Sequence, residues 1–151
     1  MFRGHYEHAV DAKGRVSFPS RFREAMQAAG DERLVVTRGL GEPEHPFLDA
    51  YPSRQWEQFE QRVLALPRFD PSVVKLRRLY VSAAVECELD NLGRVLIPPP
   101  LREHAGLGKA VVWAGMIDKA ELWSAQLWAE VQRATSEDLS FLKALWEQLR
   151  L

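Results

Sequence analysis

Apolar and polar side chains alternate through residues 7–11 and 15–18, with Val16 and Phe18 on one side and Arg15 and Ser17 on the other. A period of two marks a half-buried strand. Between the two runs, Asp11-Ala12-Lys13-Gly14-Arg15 is turn chemistry: a short carboxylate bonds the backbone ahead of it, and glycine takes a positive φ without a Cβ penalty. The pattern predicts a β-hairpin with its arginine on the exposed face. A proline follows, then a helical stretch over 20–29 closed by Gly30. Strands over 34–37 and 47–51 lead to a helix over 53–66. Trp56, Phe59, Val63 and Leu66 share one stripe of that helix, and Ser53 stands where a cap belongs.

The same order then returns. Sliding the chain by 79 positions sets Asp90 on Asp11, Gly93 on Gly14, Arg94 on Arg15, Val95 on Val16, Pro98 on Pro19, Arg102 on Arg23 and Glu103 on Glu24. Further on, Val111-Val112 answers Val35-Val36, Gly115 answers Gly39, Trp123 answers Tyr51 and Trp128 answers Trp56. Self-similarity of this kind decides the architecture before any single element does. The chain is an α+β protein in which a β-β-α-β-β unit occurs twice, each time followed by helices. In the second copy Val95 and Ile97 keep the alternation, and a helix over 100–105 closes at Gly106. Strands over 111–114 and 121–123 follow, and Ser124 caps a helix bearing Leu127, Trp128 and Val131.

Two helices lie outside this pattern. Asp70-Pro71 starts one between the copies, with Val73, Leu76 and Tyr80 on a common side. The other begins at Ser136, carries Leu139, Leu142, Leu145, Trp146 and Leu149, and has no partner in the repeat. It packs either on a neighbouring subunit or back onto its own domain, and the sequence leaves both open. The expected organisation is a first β-rich domain over 5–53, a helical connection over 54–81, a second β-rich domain over 82–125 and a C-terminal helical region over 126–151.

Composition narrows the function classes. A chain of 151 residues with 46% hydrophobic content can bury a core within one compact body. Cys87 is alone, which excludes an intrachain disulfide and gives no sign of an oxidising compartment. Met1-Phe2-Arg3-Gly4 leads straight into the first strand without a signal-like apolar region, and no apolar run approaches membrane-spanning length, so the expectation is a cytoplasmic protein with no membrane partner. A net charge of −1 gives no general case for a polyanion partner, so any basic footprint must be local.

It is local. Arg3, Lys13, Arg15, Arg21 and Arg23 stand in the first thirty residues against Glu7, Asp11 and Glu24. Lys13 and Arg15 flank the turn-forming Gly14, at a hairpin tip from which side chains reach phosphates or base edges. A two-stranded ribbon fits the major groove, and arginine is the commonest reader of guanine. The same residues admit a plainer reading, in which Arg15 ties its own turn through Asp11, and Arg94 does so through Asp90, with Gly93 as the second turn glycine.

Other chemistry finds little support. His5 and His8 lie three apart on a strand and point to opposite faces, a poor geometry for shared metal ligation, while His45 and His104 are isolated. Cys87 has no activating neighbour in sequence and reads as a small buried hydrophobe. No glycine-rich phosphate loop or nucleophile elbow occurs, and the five tryptophans fall at core spacing. Neither a catalytic site, a cofactor nor a metal is expected.

Met1-Phe2-Arg3-Gly4, Asp11-x-Lys13-Gly14-Arg15, Asp90-x-x-Gly93-Arg94, Tyr51-Pro52-x-x-x-Trp56 and Glu121-Leu122-Trp123 together resemble the MraZ proteins, bacterial transcriptional regulators. The resemblance implies tandem AbrB-like domains of the swapped-hairpin kind, related by a pseudo-two-fold axis within one chain. It further implies ring-shaped homo-oligomers in the cytoplasm, associated with the nucleoid. The implied partner is double-stranded DNA, at short direct repeats in the promoter of the cell-division and cell-wall gene cluster. Carried over by position, the DNA-contacting element falls on Asp11 and Arg15 with Lys13 between them, and formally on Asp90 and Arg94. A reading from a different class is an antitoxin-like module of the same fold that masks a partner protein.

The copies differ in ways that predict a division of labour. Leu92 stands for Lys13, Leu96 for Ser17 and Pro99-Pro100 for Ser20-Arg21, so the second hairpin is less basic and suits packing better than a polyanion. The expected DNA-binding set is Arg15, Lys13, Asp11, Arg3, Arg21 and, formally, Arg94. The first copy is expected to supply most of the contact and the second to serve assembly.

Overall fold

A computed structural model describes residues 1–150. Eight strands form a six-stranded sheet and a separate two-stranded ribbon. The first copy contributes β1 (His5–Ala9), β2 (Arg15–Ser17), α1 (Ser20–Ala28), β3 (Arg33–Arg38) and β4 (Leu48–Pro52). The second contributes β5 (Val85–Glu88), β6 (Arg94–Leu96), α4 (Pro99–His104), β7 (Ala110–Gly115) and β8 (Ala120–Ser124). The helices α2 (Ser53–Leu64) and α3 (Pro71–Leu76), with a π-helical turn over Arg77–Val81, connect them, and α5 (Ala125–Glu137) and α6 (Leu142–Leu149) complete the chain.

The β-β-α-β-β order holds, but the first pair of strands in each copy does not form a hairpin. β1 pairs with β7, and β5 pairs with β3, so each copy hands its first strand to the other. β2 pairs only with its counterpart β6, and this makes the ribbon. The turn chemistry read at residues 11–15 is real, yet the strands on either side of it separate into different sheets. Alternation shows which face of a strand is buried and is silent about which strand lies beside it.

The sheet order β1-β7-β8-β4-β3-β5 reads the same from either end once the copies are exchanged. The pseudo-two-fold axis passes between β4 and β8, where Leu48 faces Leu122, Asp49 faces Glu121 and Ala50 faces Ala120. Two carboxylates meeting on an axis need neutralising. Lys119 Nζ donates to Asp49 Oδ1 at 2.7 Å, Tyr80 donates its hydroxyl proton to the other oxygen, and the Tyr51 and Tyr80 hydroxyls lie 2.7 Å apart. Burial pushes the Asp49 carboxyl above its usual range, and burial pushes Glu121 the same way, reinforced by Asp49.

One core lies between the inner face of the sheet and the ribbon with α1 and α4. Val16, Phe18, Val95 and Ile97 from the ribbon meet Leu34, Val36, Leu48, Val111, Trp113 and Leu122 from the sheet, all essentially without solvent contact. Trp113 Nε1 donates to Ser17 O at 2.9 Å, which ties ribbon to sheet without leaving an indole donor unpaired. Cys87 lies in this core, and burial pushes its thiol up to about 11.

The outer face is covered unequally. Over the first half, Trp56 from α2 and Tyr80 from the π-helical turn pack on Val35 and Tyr51. Tyr51 and Trp56 therefore sit at packing positions, as the helical stripe requires. Ser53, however, does not cap α2: Pro52 occupies that place, and buried Asp31 accepts from Arg54 N at 2.9 Å and from Ser53 Oγ at 2.7 Å. Ser124 does cap α5, accepting from Leu127 N at 3.1 Å. The stretch from Ser136 is not one helix, since α5 runs to Glu137 and α6 starts afresh at Leu142. Nor does α6 fold back: Leu145 is 47%, Trp146 65% and Leu149 67% exposed.

Candidate nucleic-acid interface

Both Asp-x-x-Gly-Arg turns close by the same bonds. In the first, Asp11 Oδ1 accepts from Lys13 N and Arg15 N, both at 2.9 Å, while Arg15 Nε donates to Asp11 Oδ2 at 2.7 Å. In the second, Asp90 Oδ1 accepts from Leu92 N at 2.9 Å and Arg94 N at 2.8 Å, and Arg94 Nε donates to Asp90 Oδ2 at 2.8 Å. Gly14 and Gly93 take φ of 85° and 74°. The Arg15 backbone N–H is the main cause that holds the Asp11 carboxyl down at about 2; Asp90 is lowered by the equivalent bond from Arg94. The plainer reading of these arginines is therefore correct as far as it goes. Each guanidinium spends only Nε on its aspartate, so the terminal nitrogens are uncommitted to any group among the described residues.

The ribbon register brings the two turns into one site. Arg15 lies opposite Leu96, Val16 opposite Val95, and Ser17 opposite Arg94. The two valines point into the core, so Arg15, Ser17, Arg94 and Leu96 share the outer face, with the arginines on a diagonal. The two copies thus contribute to one surface.

The exchange also redistributes the cations. Phe18 N donates to Gly93 O at 2.9 Å, and Ile97 N donates to Gly14 O at 3.0 Å, so each helix starts beside the turn of the other copy. Arg23 of α1 lies over Gly93 and donates Nε to Phe18 O at 3.1 Å; Arg102 of α4 lies over Gly14 and donates Nε to Ile97 O at 3.0 Å. A Cβ would sit 2.1 Å from Arg23 Nη1 at position 93 and 2.6 Å from Arg102 Cζ at position 14, which explains the glycines beyond their positive φ. The second turn lacks a lysine at Leu92 but gains Arg23 from the first copy, with Arg21 exposed on the same helical turn. The first turn has Lys13 and gains Arg102. Arg23 and Arg102 were visible in the sequence as identical repeat positions, but their role across copies was not.

Not every candidate joins the site. Arg3 lies at the opposite end of β1 from the turn, beside the β7–β8 connection, where Phe2 and Ile117 exchange backbone hydrogen bonds. His45 is not isolated either: the loop brings it within 4.8 Å of Glu42 and Glu44, in an exposed group with nothing further to mark a ligand site. His5 lies against Trp128, with ring centroids 5.6 Å apart and the planes tilted by 47°.

A tandem pair of swapped hairpins sharing one ribbon defines the class as an AbrB-like, swapped-hairpin α+β protein. The family model described as "MraZ protein, putative antitoxin-like" matches the chain twice, over residues 1–79 and 80–148. The chain is 46% identical over 128 residues to the transcriptional regulator MraZ of Coxiella burnetii, covering 85% of this chain and 82% of that one. It is 43% identical over 130 residues to that of Thioalkalivibrio sulfidiphilus, with 86% and 84% covered. For that of Desulfitobacterium hafniense the figures are 42% over 137 residues, with 91% and 90% covered. The chain belongs to the MraZ family.

Proposed function

We propose that this chain is a sequence-specific, DNA-binding transcriptional regulator that works in the cytoplasm, at the nucleoid, as a homo-oligomer. The observation that carries the reading is the pair of arginines on one outer ribbon face, each held by its aspartate through Nε alone. An arginine fixed in this way loses little side-chain freedom when its terminal nitrogens meet a guanine edge or a phosphate. Arg15 and Arg94 are the base readers in this reading. Lys13, Arg21, Arg23 and Arg102 supply phosphate contacts, and Asp11 and Asp90 orient. Arg3 belongs to the proposed set only if the DNA runs past the ribbon along β1.

No catalytic step is assigned, and among the described residues no helix is long and apolar enough to cross a membrane. One short ribbon makes few contacts, so affinity comes from several subunits engaging repeated sites at high effective concentration. Short direct repeats in the promoter of the division and cell-wall cluster fit that requirement. Selection of bound fragments from a random DNA library tests it: enriched boxes at a constant spacing are expected. Recovery of no motif, together with capture of one defined protein partner, would replace this reading with the antitoxin-like one.

A further inference from the structure

The two halves differ most on the outer face of the sheet. Over the first half, α2 is followed by α3 and the π-helical turn, whose Val73 and Tyr80 are buried, and Tyr80 closes against Trp56 at 5.8 Å and Phe59 at 5.5 Å. The second half has the same components. Trp123, Trp128 and Val131 answer Tyr51, Trp56 and Phe59, and α6 follows α5 as α3 follows α2. Asp138 accepts from Ser140 N at 3.0 Å in the turn that precedes α6, and Leu142, Leu145 and Leu149 repeat the spacing of Val73, Leu76 and Tyr80. Here, however, the seat is open. A groove of about 290 Å³ lies beside Trp123 and Val131, bounded by Phe47 and Ala134, and α6 leaves Leu145, Trp146 and Leu149 in solvent.

We infer that α6 of one subunit occupies this groove on a second copy of the chain. The occupant follows from the internal template, because the first half displays what kind of element fills such a seat, and the chain owns one more such element. An eight-residue helix with Leu142, Leu145, Trp146 and Leu149 on one side is unstable alone in water and requires cover. The connection to α6, residues 138–141, is shorter than the 65–70 segment that lets α3 turn back. Groove and helix are built from different residues, so each subunit can give one such contact and receive another. The inference deepens the assembly part of the reading above and does not depend on DNA.

The test uses the full chain without DNA. Ala134→Cys and Leu145→Cys are purified separately, mixed under mild oxidation and compared with the double variant; Cys87 is buried and serves as the internal control. A mixed disulfide between the two single variants is the expected result, together with loss of the largest species in light scattering for Trp146→Lys. A crosslink only within the double variant would mean that the helix closes on its own groove and would overturn the inference. So would an unchanged mass for Trp146→Lys and for a second variant, Leu149→Glu. In that case, persistence of the oligomer and of DNA binding would leave the broader functional reading standing.

Discussion

The two turns are nearly superposable in their bonding and differ in what surrounds them. The first carries Lys13 at its tip and the second Leu92, which is 67% exposed. Read along the chain, that difference separates a basic hairpin from an apolar one. Read in space, it is offset by the exchange of partners, since Arg23 of the first copy stands at the second turn and Arg102 of the second stands at the first. Local sequence thus describes a turn correctly and its electrostatic surroundings wrongly whenever the flanking elements belong elsewhere. On this geometry the proposed DNA-binding face has two similar ends, one from each copy.

The sharpest way to break this comparison is to truncate the paired arginines one at a time. Arg15→Ala and Arg94→Ala are each expected to weaken specific binding by about 1–3 kcal/mol per contacted base pair, as for a lost bidentate contact. Fluorescence anisotropy at fixed salt, after oligomer size is checked, measures both. Loss for Arg15→Ala with none for Arg94→Ala would restore the division by copy.

Next in size are the glycines. Gly93→Ala and Gly14→Ala should each lower stability by roughly 1 kcal/mol from positive φ alone. Gly93→Ala should cost more, because its Cβ meets Arg23 more closely than the one at Gly14 meets Arg102. Urea denaturation ranks the two, and equal or negligible losses would show that the arginines do not rest on the glycines.

A smaller effect separates the tips. Lys13→Ala should weaken binding to all sequences and flatten the dependence of log affinity on log salt by about 0.9 per subunit contact, with Leu92→Lys steepening it by a similar amount. An unchanged slope for both would place the tips away from phosphate.

The smallest effect is a titration. Asp11 is lowered to about 2 from 3.8, so its contribution is complete above the ordinary carboxylate range and is lost as pH falls through about 2. A carboxyl carbon NMR titration reads it directly, and a midpoint near 3.8 would mean that the Arg15 bonds are not populated in solution.

Much of this was legible in the sequence. Gly30 and Gly106 end their helices with φ of 72° and 60°, Ser124 and Asp70 cap theirs, and Val16, Phe18, Val95 and Ile97 are buried as the alternation requires. These features depend on neighbours in the chain. Pairing does not, which is why β1 and β2 were assigned to each other from the residues, although the family resemblance already implied swapped hairpins. The same gap hid the capping of α2 by Asp31 and the covering of each glycine by a distant arginine. The kinship of α6 with α3 was in plain view as spacing, but its drift away from the 79-residue offset concealed it.

The exchange of first strands has a consequence for how the molecule is made. β1 is synthesised before every other strand of the sheet, yet its partner β7, Ala110–Gly115, lies in the second copy. Its hydrogen-bonding edges stay unsatisfied while β2 to β6 are produced, and the turn beside it forms without a ladder to extend. Pairings this distant in sequence carry a large loop-closure cost before they return anything, so the sheet closes late and all together. The first copy cannot finish folding as a unit while the second is still being translated. During that interval β1 is an open template for any other strand, including the same strand of a neighbouring nascent chain.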